Sequence, residues 1–277
     1  MPLHEAVLHG HSDIVELLCK GGAMVDVKEH YTKTPLLLAS ELGHTDIVQT
    51  LVNYKASINV QDIGGSTPLC HAVKHKNFDM CEILLRARCD VNIQDNYKRT
   101  ALHIASEKGL EEAVDILLEH GAKFNIPDRY ELAPLQYTIS GGHVKCAFSL
   151  LKHGHVLPES ECKVLQLIQM LMTKQEDRVG LLKMLVYLGW RPKTFGISKL
   201  TEFLRQSVPK KEVIPWLESE VYTPLSLKRI GRNAVRKYLV RRTNGISICK
   251  LINRLAVPDN LKDFLELRDL YIMFIGI

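Results

Sequence analysis

Along residues 1–155 the apolar positions fall in short blocks of helical spacing, and the blocks recur in pairs at one fixed distance. Met1-Pro-Leu-His-Glu-Ala, Thr34-Pro-Leu-Leu-Leu-Ala, Thr67-Pro-Leu-Cys-His-Ala, Thr100-Ala-Leu-His-Ile-Ala and Ala133-Pro-Leu-Gln-Tyr-Thr put their second residue at 2, 35, 68, 101 and 134, so every interval is 33. Other positions keep the same step: Gly10, Gly43, Gly109 and Gly142, with Lys76 breaking the series; Leu18, Leu51, Leu84, Leu117 and Leu150; Asp26, Asn59, Asn92 and Asn125; Asp62, Asp95 and Asp128. Thr before Pro predicts a helix start, because Pro at the first helical position lacks only an N–H that would be orphaned in any case. The Gly about eight residues on closes that helix, and a second helix runs to the Leu-Leu pair. Neither helix buries its apolar face alone, so adjacent repeats must stack.

After Gly154 the signature is lost, although Leu181-Leu-Lys-Met-Leu-Val-Tyr-Leu-Gly189 copies the end of a second helix. Residues 156–192 read as a degenerate sixth repeat that caps the stack. Pro209, Pro215 and Pro224 punctuate the next stretch, which predicts a linker or short helices over 193–222. In Ser226-Leu-Lys-Arg-Ile-Gly-Arg-Asn-Ala-Val-Arg-Lys-Tyr-Leu239, Leu227, Ile230, Ala234, Val235 and Tyr238 fall at helical steps and predict a narrow apolar face. Seven basic residues between 228 and 242 occupy the other side, read as a solvated helix face rather than a nucleic-acid or lipid patch, since no aromatic interleaving accompanies them. A polar Thr243-Asn-Gly turn leads to a second apolar segment ending at Leu255-Ala-Val-Pro258, then Asp259-Asn-Leu-Lys-Asp-Phe-Leu265, with an apolar tail over 266–277.

The 33-residue array resembles ankyrin repeats, whose T-P-L-H-x-A signature residues 1–155 repeat five times. The C-terminal segment, 223–265, resembles a SOCS box, and the order of the two is similar to the ankyrin repeat and SOCS box family. The resemblance implies an all-α fold: an ankyrin solenoid of helix-turn-helix repeats with short β-turn loops, followed by a small three-helix SOCS box. It implies an elongin-binding helix in which Ser226, Leu227, Ile230 and Val235 match and Gly231 stands where the family has Cys. It also implies a cullin-contacting stretch in which Leu255, Val257, Pro258, Leu261, Lys262, Phe264 and Leu265 match and Ala256 replaces a Pro. Gly inside a helix costs roughly 1 kcal/mol against Ala, while Leu227 buried in a partner would contribute about 1.5–3 kcal/mol. The implied partners are elongin C and elongin B, a cullin with its RING protein, and a captured target. The implied role is a non-catalytic substrate adaptor of a ubiquitin ligase; a scaffold or sequestering protein with a degenerate box is the alternative.

Composition sharpens this. With 277 residues, 46% apolar and 24% charged, the chain has the make-up of a folded protein. The net +5 conceals a split: residues 1–155 hold 15 Lys and Arg against 19 Asp and Glu, residues 156–277 hold 21 against 12. Two partners of different chemistry are expected, with no nucleic acid and no membrane among them. The opening residues show no signal peptide, so a cytoplasmic protein, with the nucleus open to it, is expected. The first helix lacks a Thr cap and an upstream neighbour, as in a truncated isoform or fragment. Seven cysteines without a C-x-x-C pair read as small buried thiols.

No catalytic motif is found, and no cofactor or metal is expected; His71 and His75, four apart, are a poor zinc pair without a third ligand. His4, His103, His11, His44 and His143 recur where histidines bond the loops between repeats. Tyr31, Tyr97 and Tyr130 occupy equivalent turns, with Gly64 at the fourth, beside Lys33, Lys98 and Arg99. Tyr31, Lys33, Tyr97, Arg99 and Tyr130 are therefore the candidate target-binding residues, since Tyr and Arg are over-represented among hot spots. Ser40, Glu41, Lys74, Ser106 and Glu107 are expected on the concave side.

Overall fold

The Thr caps act as predicted. In the structure, a computed structural model that describes residues 1–29, 33–154, 227–243, 247–254 and 262, Thr34 Oγ1 accepts from the Leu37 N–H and Thr67 Oγ1 from the Cys70 N–H, both at 3.3 Å. They open α3 (Pro35–Leu42) and α5 (Pro68–Lys74). Before these, α1 (Pro2–Leu8) has Met1 at its N-cap with no side-chain cap, and α2 (Ser12–Lys20) comes next. The remaining pairs of the N-terminal array are completed by α4 (Thr45–Asn53), α6 (Phe78–Arg86), α7 (Ala101–Lys108) and α8 (Glu111–Glu119). First helices pack in the order α1, α3, α5, α7 and second helices in the order α2, α4, α6, α8. Every regular element among the described residues is helix.

The core lies between the two layers. Leu51, Leu84 and Leu117 of the repeated leucine track are wholly buried, as are Leu36, Val48 and Val114. Ile14 is 46% exposed, while Ile47, Met80 and Ala113, its equivalents in the next three repeats, are at most 1% exposed. The difference follows from stacking, since among the described second helices α2 packs against α4, whereas α4 and α6 each lie between two others.

The backbone keeps the 33-residue period even where glycine is missing. Lys76, the break in the glycine series, still adopts φ +58°, beside +81° at Gly43 and +67° at Gly109. Lys55 and Arg88 repeat a second left-handed position with Gly22 and Gly121, and Lys98 and Glu131 a third with Gly65. A side chain in that region costs roughly 1–2 kcal/mol. Gly65 is doubly constrained, because a Cβ there would lie 2.7 Å from the Asn96 backbone nitrogen.

The chain divides into two compact units, Met1–Pro134 and Leu135–Ile277. The pattern of the sequence ends the array at 155, whereas the division falls inside the fifth repeat, at the start of α9 (Pro134–Gly141). The cause lies within the second unit. There α10 (Val144–Lys152) is bonded at its C-terminal end to α11 (Leu227–Thr243) and α12 (Cys249–Arg254). Arg236 Nη2 donates to the carbonyls of Leu151 and, at 3.1 Å, Lys152; the Ile248 N–H donates to the His153 carbonyl at 2.8 Å. Leu239, Ile248 and Ile252, with Val240 beside them, form a small core. The expected cap over 156–192, the linker over 193–222, Tyr31, the segment from Leu255 to Leu261, Leu265 and the tail lie outside the described residues.

Substituting Lys76 by Gly should raise the unfolding free energy by up to about 1 kcal/mol, since a strained side chain is removed from an exposed site. Gly65→Ala should lower it by about 1–3 kcal/mol through strain and the contact with Asn96. Urea unfolding of the two variants measures both, and effects of equal sign would contradict the account.

Candidate protein-interaction surfaces

The turns at 62–66, 95–99 and 128–132 are fingers, each organised by one aspartate. Asp95 Oδ1 accepts from the N–H groups of Tyr97 and Arg99, both at 2.8 Å, and Asp128 Oδ1 from those of Tyr130 at 2.8 Å and Leu132 at 2.9 Å. Asp62 accepts from the Ser66 N–H at 2.8 Å. The Asp62, Asp95 and Asp128 track is thus a turn-forming track, because a carboxylate bonding its own backbone ahead mimics a turn. Adjacent fingers are joined: the Asn96 N–H donates to the Gly64 carbonyl at 3.1 Å and the Arg129 N–H to that of Tyr97 at 2.9 Å. Gln61 reaches the Gln94 carbonyl at 3.0 Å, and Gln94 reaches that of Pro127 at 3.4 Å. A second ladder comes from the other polar track, where Asp26, Asn59 and Asn92 accept from the N–H groups of Ser57, Asp90 and Lys123 at 2.8–2.9 Å.

Tyr97 and Tyr130 stand on the finger tips, 49% and 66% exposed. Of their charged neighbours, Lys33 and Arg99 are engaged within the fold. Lys33 pairs with Glu41 at 2.5 Å, and Arg99 bonds Asp95 at 3.1 Å and Glu107 at 3.5 Å while lying 5.2 Å over the Tyr97 ring. Lys74 donates to Ser66 at 2.8 Å, so the same finger-to-helix link recurs in three repeats. Lys33 and Arg99 therefore hold the finger bases against the first helices. Ser40 and Ser106, expected on the concave side, are buried instead; Ser40 Oγ donates to the Leu36 carbonyl at 2.8 Å, which removes a helix-interior hydroxyl from solvent. Negative charge collects on the second helices, where Glu82, Glu111, Glu112, Asp115 and Glu119 border an open hollow of about 410 Å³.

The buried histidines His4, His71 and His103 bond the turns beside them. Nε2 of His4 donates to the Lys33 carbonyl at 3.0 Å, and that of His103 to the Leu132 carbonyl at 3.2 Å. The tautomer of His103 is set by the Thr100 N–H, which donates to Nδ1 at 3.0 Å. His11, His44 and His143 instead occupy N-cap positions of α2, α4 and α10 without a side-chain cap bond. His71 Nε2 donates to Asp62 at 2.9 Å, and His75 is exposed. Among the described residues no group of three or more His, Cys, Asp or Glu is placed to hold a metal ion. Cys19, Cys70, Cys81, Cys146 and Cys249 are buried free thiols and Cys89 is half-buried. Burial pushes the thiols of Cys81 and Cys89 up to about 12, so neither is a nucleophile near neutral pH.

The helix α11 is turned opposite to expectation. Arg232 and Arg236, assigned to a solvated face, are 2% and 6% exposed, while Val235 and Tyr238, assigned to the apolar face, are 42% and 56% exposed. Gly231 and Ala234 are exposed beside them. The physical reason is the end of α10: its last carbonyls have no helical partner, and the Arg236 guanidinium satisfies them. Leu227 and Ile230 lie in the first turn of α11.

A family model described as ankyrin repeats (3 copies) matches residues 1–62 and 54–128. Ankyrin repeats are thus detected over residues 1–128. No curated protein matches the chain. Stacked repeats of this kind present an extended concave surface suited to binding a partner protein. No described helix is long and apolar enough to cross a membrane.

Burial lowers the pKa of His71, His103 and His153, the last to about 4 with Lys152 and Arg236 adding to the effect. The fold therefore holds these rings neutral. The stability this contributes is complete above an unfolded-state pKa of about 6.5 and is lost as the pH falls toward the folded-state value. From pH 7 to pH 5 the thermal midpoint should fall, with His153 alone accounting for about 2 kcal/mol, and His153→Gln should flatten the profile. A midpoint constant over that range would contradict the assignment.

Proposed function

We propose that the chain is an adaptor: its ankyrin array captures a target protein, and residues 223–265 recruit elongin C and elongin B, and through them a cullin and its RING protein, so that the target is ubiquitinated. The observation that carries this reading is the exposed side of α11. Of the residues assigned to elongin, Gly231 and Val235 belong to α11, a helix anchored by Arg236 to the α10 carbonyls. Gly231 and Val235 are thereby left open to solvent. A helix held from behind presents its free side without an ordering cost. Proximity is the whole mechanism. Holding the target's lysines near a charged conjugating enzyme raises their effective concentration, and the adaptor supplies no reacting group.

Within the array, target contact falls to Tyr97 and Tyr130, the exposed aromatic tips, with Tyr31 as their equivalent in the first finger. Lys33 and Arg99 position those fingers from below. The cullin contact is assigned to Leu255, Val257, Pro258, Leu261 and Leu265. The absence of a Pro at 256 leaves that stretch a larger ordering entropy on binding, which is the specific observation favouring the second reading, a sequestering scaffold that never engages a cullin. The two differ in the fate of the target, which accumulates on depletion of the adaptor only if the chain directs degradation.

Purified full-length chain should bind elongin B and C, and Leu227→Asp should abolish that binding, since a charge would replace a contact of about 1.5–3 kcal/mol. Gly231→Cys should tighten it roughly tenfold, because it restores a side chain worth on the order of 1 kcal/mol and removes a helix-interior Gly. Binding unaffected by Leu227→Asp would sink the recruitment reading.

A further inference from the structure

We infer that the open side of α1 and α2 is a docking surface for a helix pair of ankyrin type carried by another polypeptide. The partner meets Ile14, Leu17 and Leu18 through apolar contact, and an Asp or Asn in its loop accepts from the Met24 N–H. This goes beyond the recruitment assigned to α11 and stands apart from it.

The chain itself shows what covers such a side. Under the 33-residue step, the corresponding sides of α3 and α4, of α5 and α6, and of α7 and α8 are packed by the helix pair that precedes each of them. The surface on α1 and α2 is the next member of that series of interfaces. Ile47, Met80 and Ala113, in the place of Ile14, are at most 1% exposed, and Leu51, Leu84 and Leu117, in the place of Leu18, are wholly buried. Leu18 is only half-buried, while Leu17 and Met24 are 67% and 77% exposed. Met24 also stands where the later repeats carry Ser57, Asp90 and Lys123, so an apolar side chain replaces polar ones at the open position. Contiguous exposed apolar residues of this kind mark a protein contact.

The polar ladder specifies the partner further. The N–H groups of Ser57, Asp90 and Lys123 each donate to the Asp or Asn of the preceding repeat at 2.8–2.9 Å. Met24 is the same position one step earlier, and among the described residues nothing accepts from its N–H. A loop led by Asp or Asn on the docked helix pair completes the ladder and sets the register of the apolar contact. A second copy of this chain does not supply it. Two such open sides set against each other bring donor to donor, with no acceptor between them. In the last repeat, α10 buries every residue from Cys146 to Leu151, so no side of that helix is left open for stacking.

The probe is a consensus ankyrin array whose last helix pair is uncapped and ends in an Asp-led loop, titrated into the full-length chain by calorimetry. Saturable binding is expected, and the same array with a polar capping repeat should not bind. Leu17→Glu should weaken binding at least about tenfold, because it places a charge in an apolar contact, and should leave the thermal midpoint unchanged, because Leu17 is on the surface. Replacing the Asp of the probe loop by Ala should weaken it about fivefold. No binding, or binding indifferent to Leu17→Glu, overturns the proposal. So does sedimentation of the chain alone as a dimer that Leu17→Glu dissociates, the result expected if a second copy covers this side. None of these outcomes depends on elongin binding, so the two readings fail separately.

Discussion

The protein depends on the fact that a short amphipathic helix pair cannot bury its apolar side by itself. Leu51 and Leu84 reach zero exposure because a helix pair lies on each side of them. Ile14 belongs to the same repeat pattern and is half-exposed. Burial here is a property of position in a series. The stability of the array is accordingly a sum of nearest-neighbour interfaces, to which each repeat adds roughly the same increment.

Polar ladders give that series its register. Apolar packing between helices is tolerant of small slips, whereas hydrogen bonds at 2.8–2.9 Å from Asp26, Asn59 and Asn92 to backbone groups of the next repeat are not. The finger aspartates do the same within each turn, and the bonds from Asn96 to Gly64 and from Arg129 to Tyr97 carry the order to the tips. The geometry is strict enough that Lys76, Lys98 and Glu131 adopt left-handed backbone without the help of glycine. The exposed tyrosines are thereby displayed on a framework with few degrees of freedom, as a capture surface requires.

In the second unit the organising element is a single guanidinium. Arg236 satisfies carbonyls left open at the end of α10, 84 and 85 residues earlier in the chain. A few apolar residues, Leu239, Ile248 and Ile252, complete the contact. The function proposed for α11 rests on this orientation, since the same helix rolled the other way would bury the side that carries Val235 and Tyr238.

Much of the architecture was legible without coordinates. The 33-residue step, the Thr caps and the glycine turns are local chemistry repeated, and repetition makes a weak local preference unmistakable; the polar tracks were visible as tracks. Their roles were not, because a bond from Asn59 to Asp90 or from His103 to Leu132 joins residues about thirty apart and leaves no mark on either one's neighbours. The same limit explains the misreading of α11. Periodicity separated Arg232 and Arg236 from Val235 and Tyr238 but placed Arg242 opposite Tyr238, against which it packs; it also assigns basic residues to water by default, and only the tertiary structure shows that the end of α10 supplies the acceptors that make burying Arg236 favourable. The sequence alone therefore determined the repeating unit and its helices. The tertiary structure decided which side of the last long helix remains free to meet a partner, because that choice depends on acceptors held more than eighty residues away.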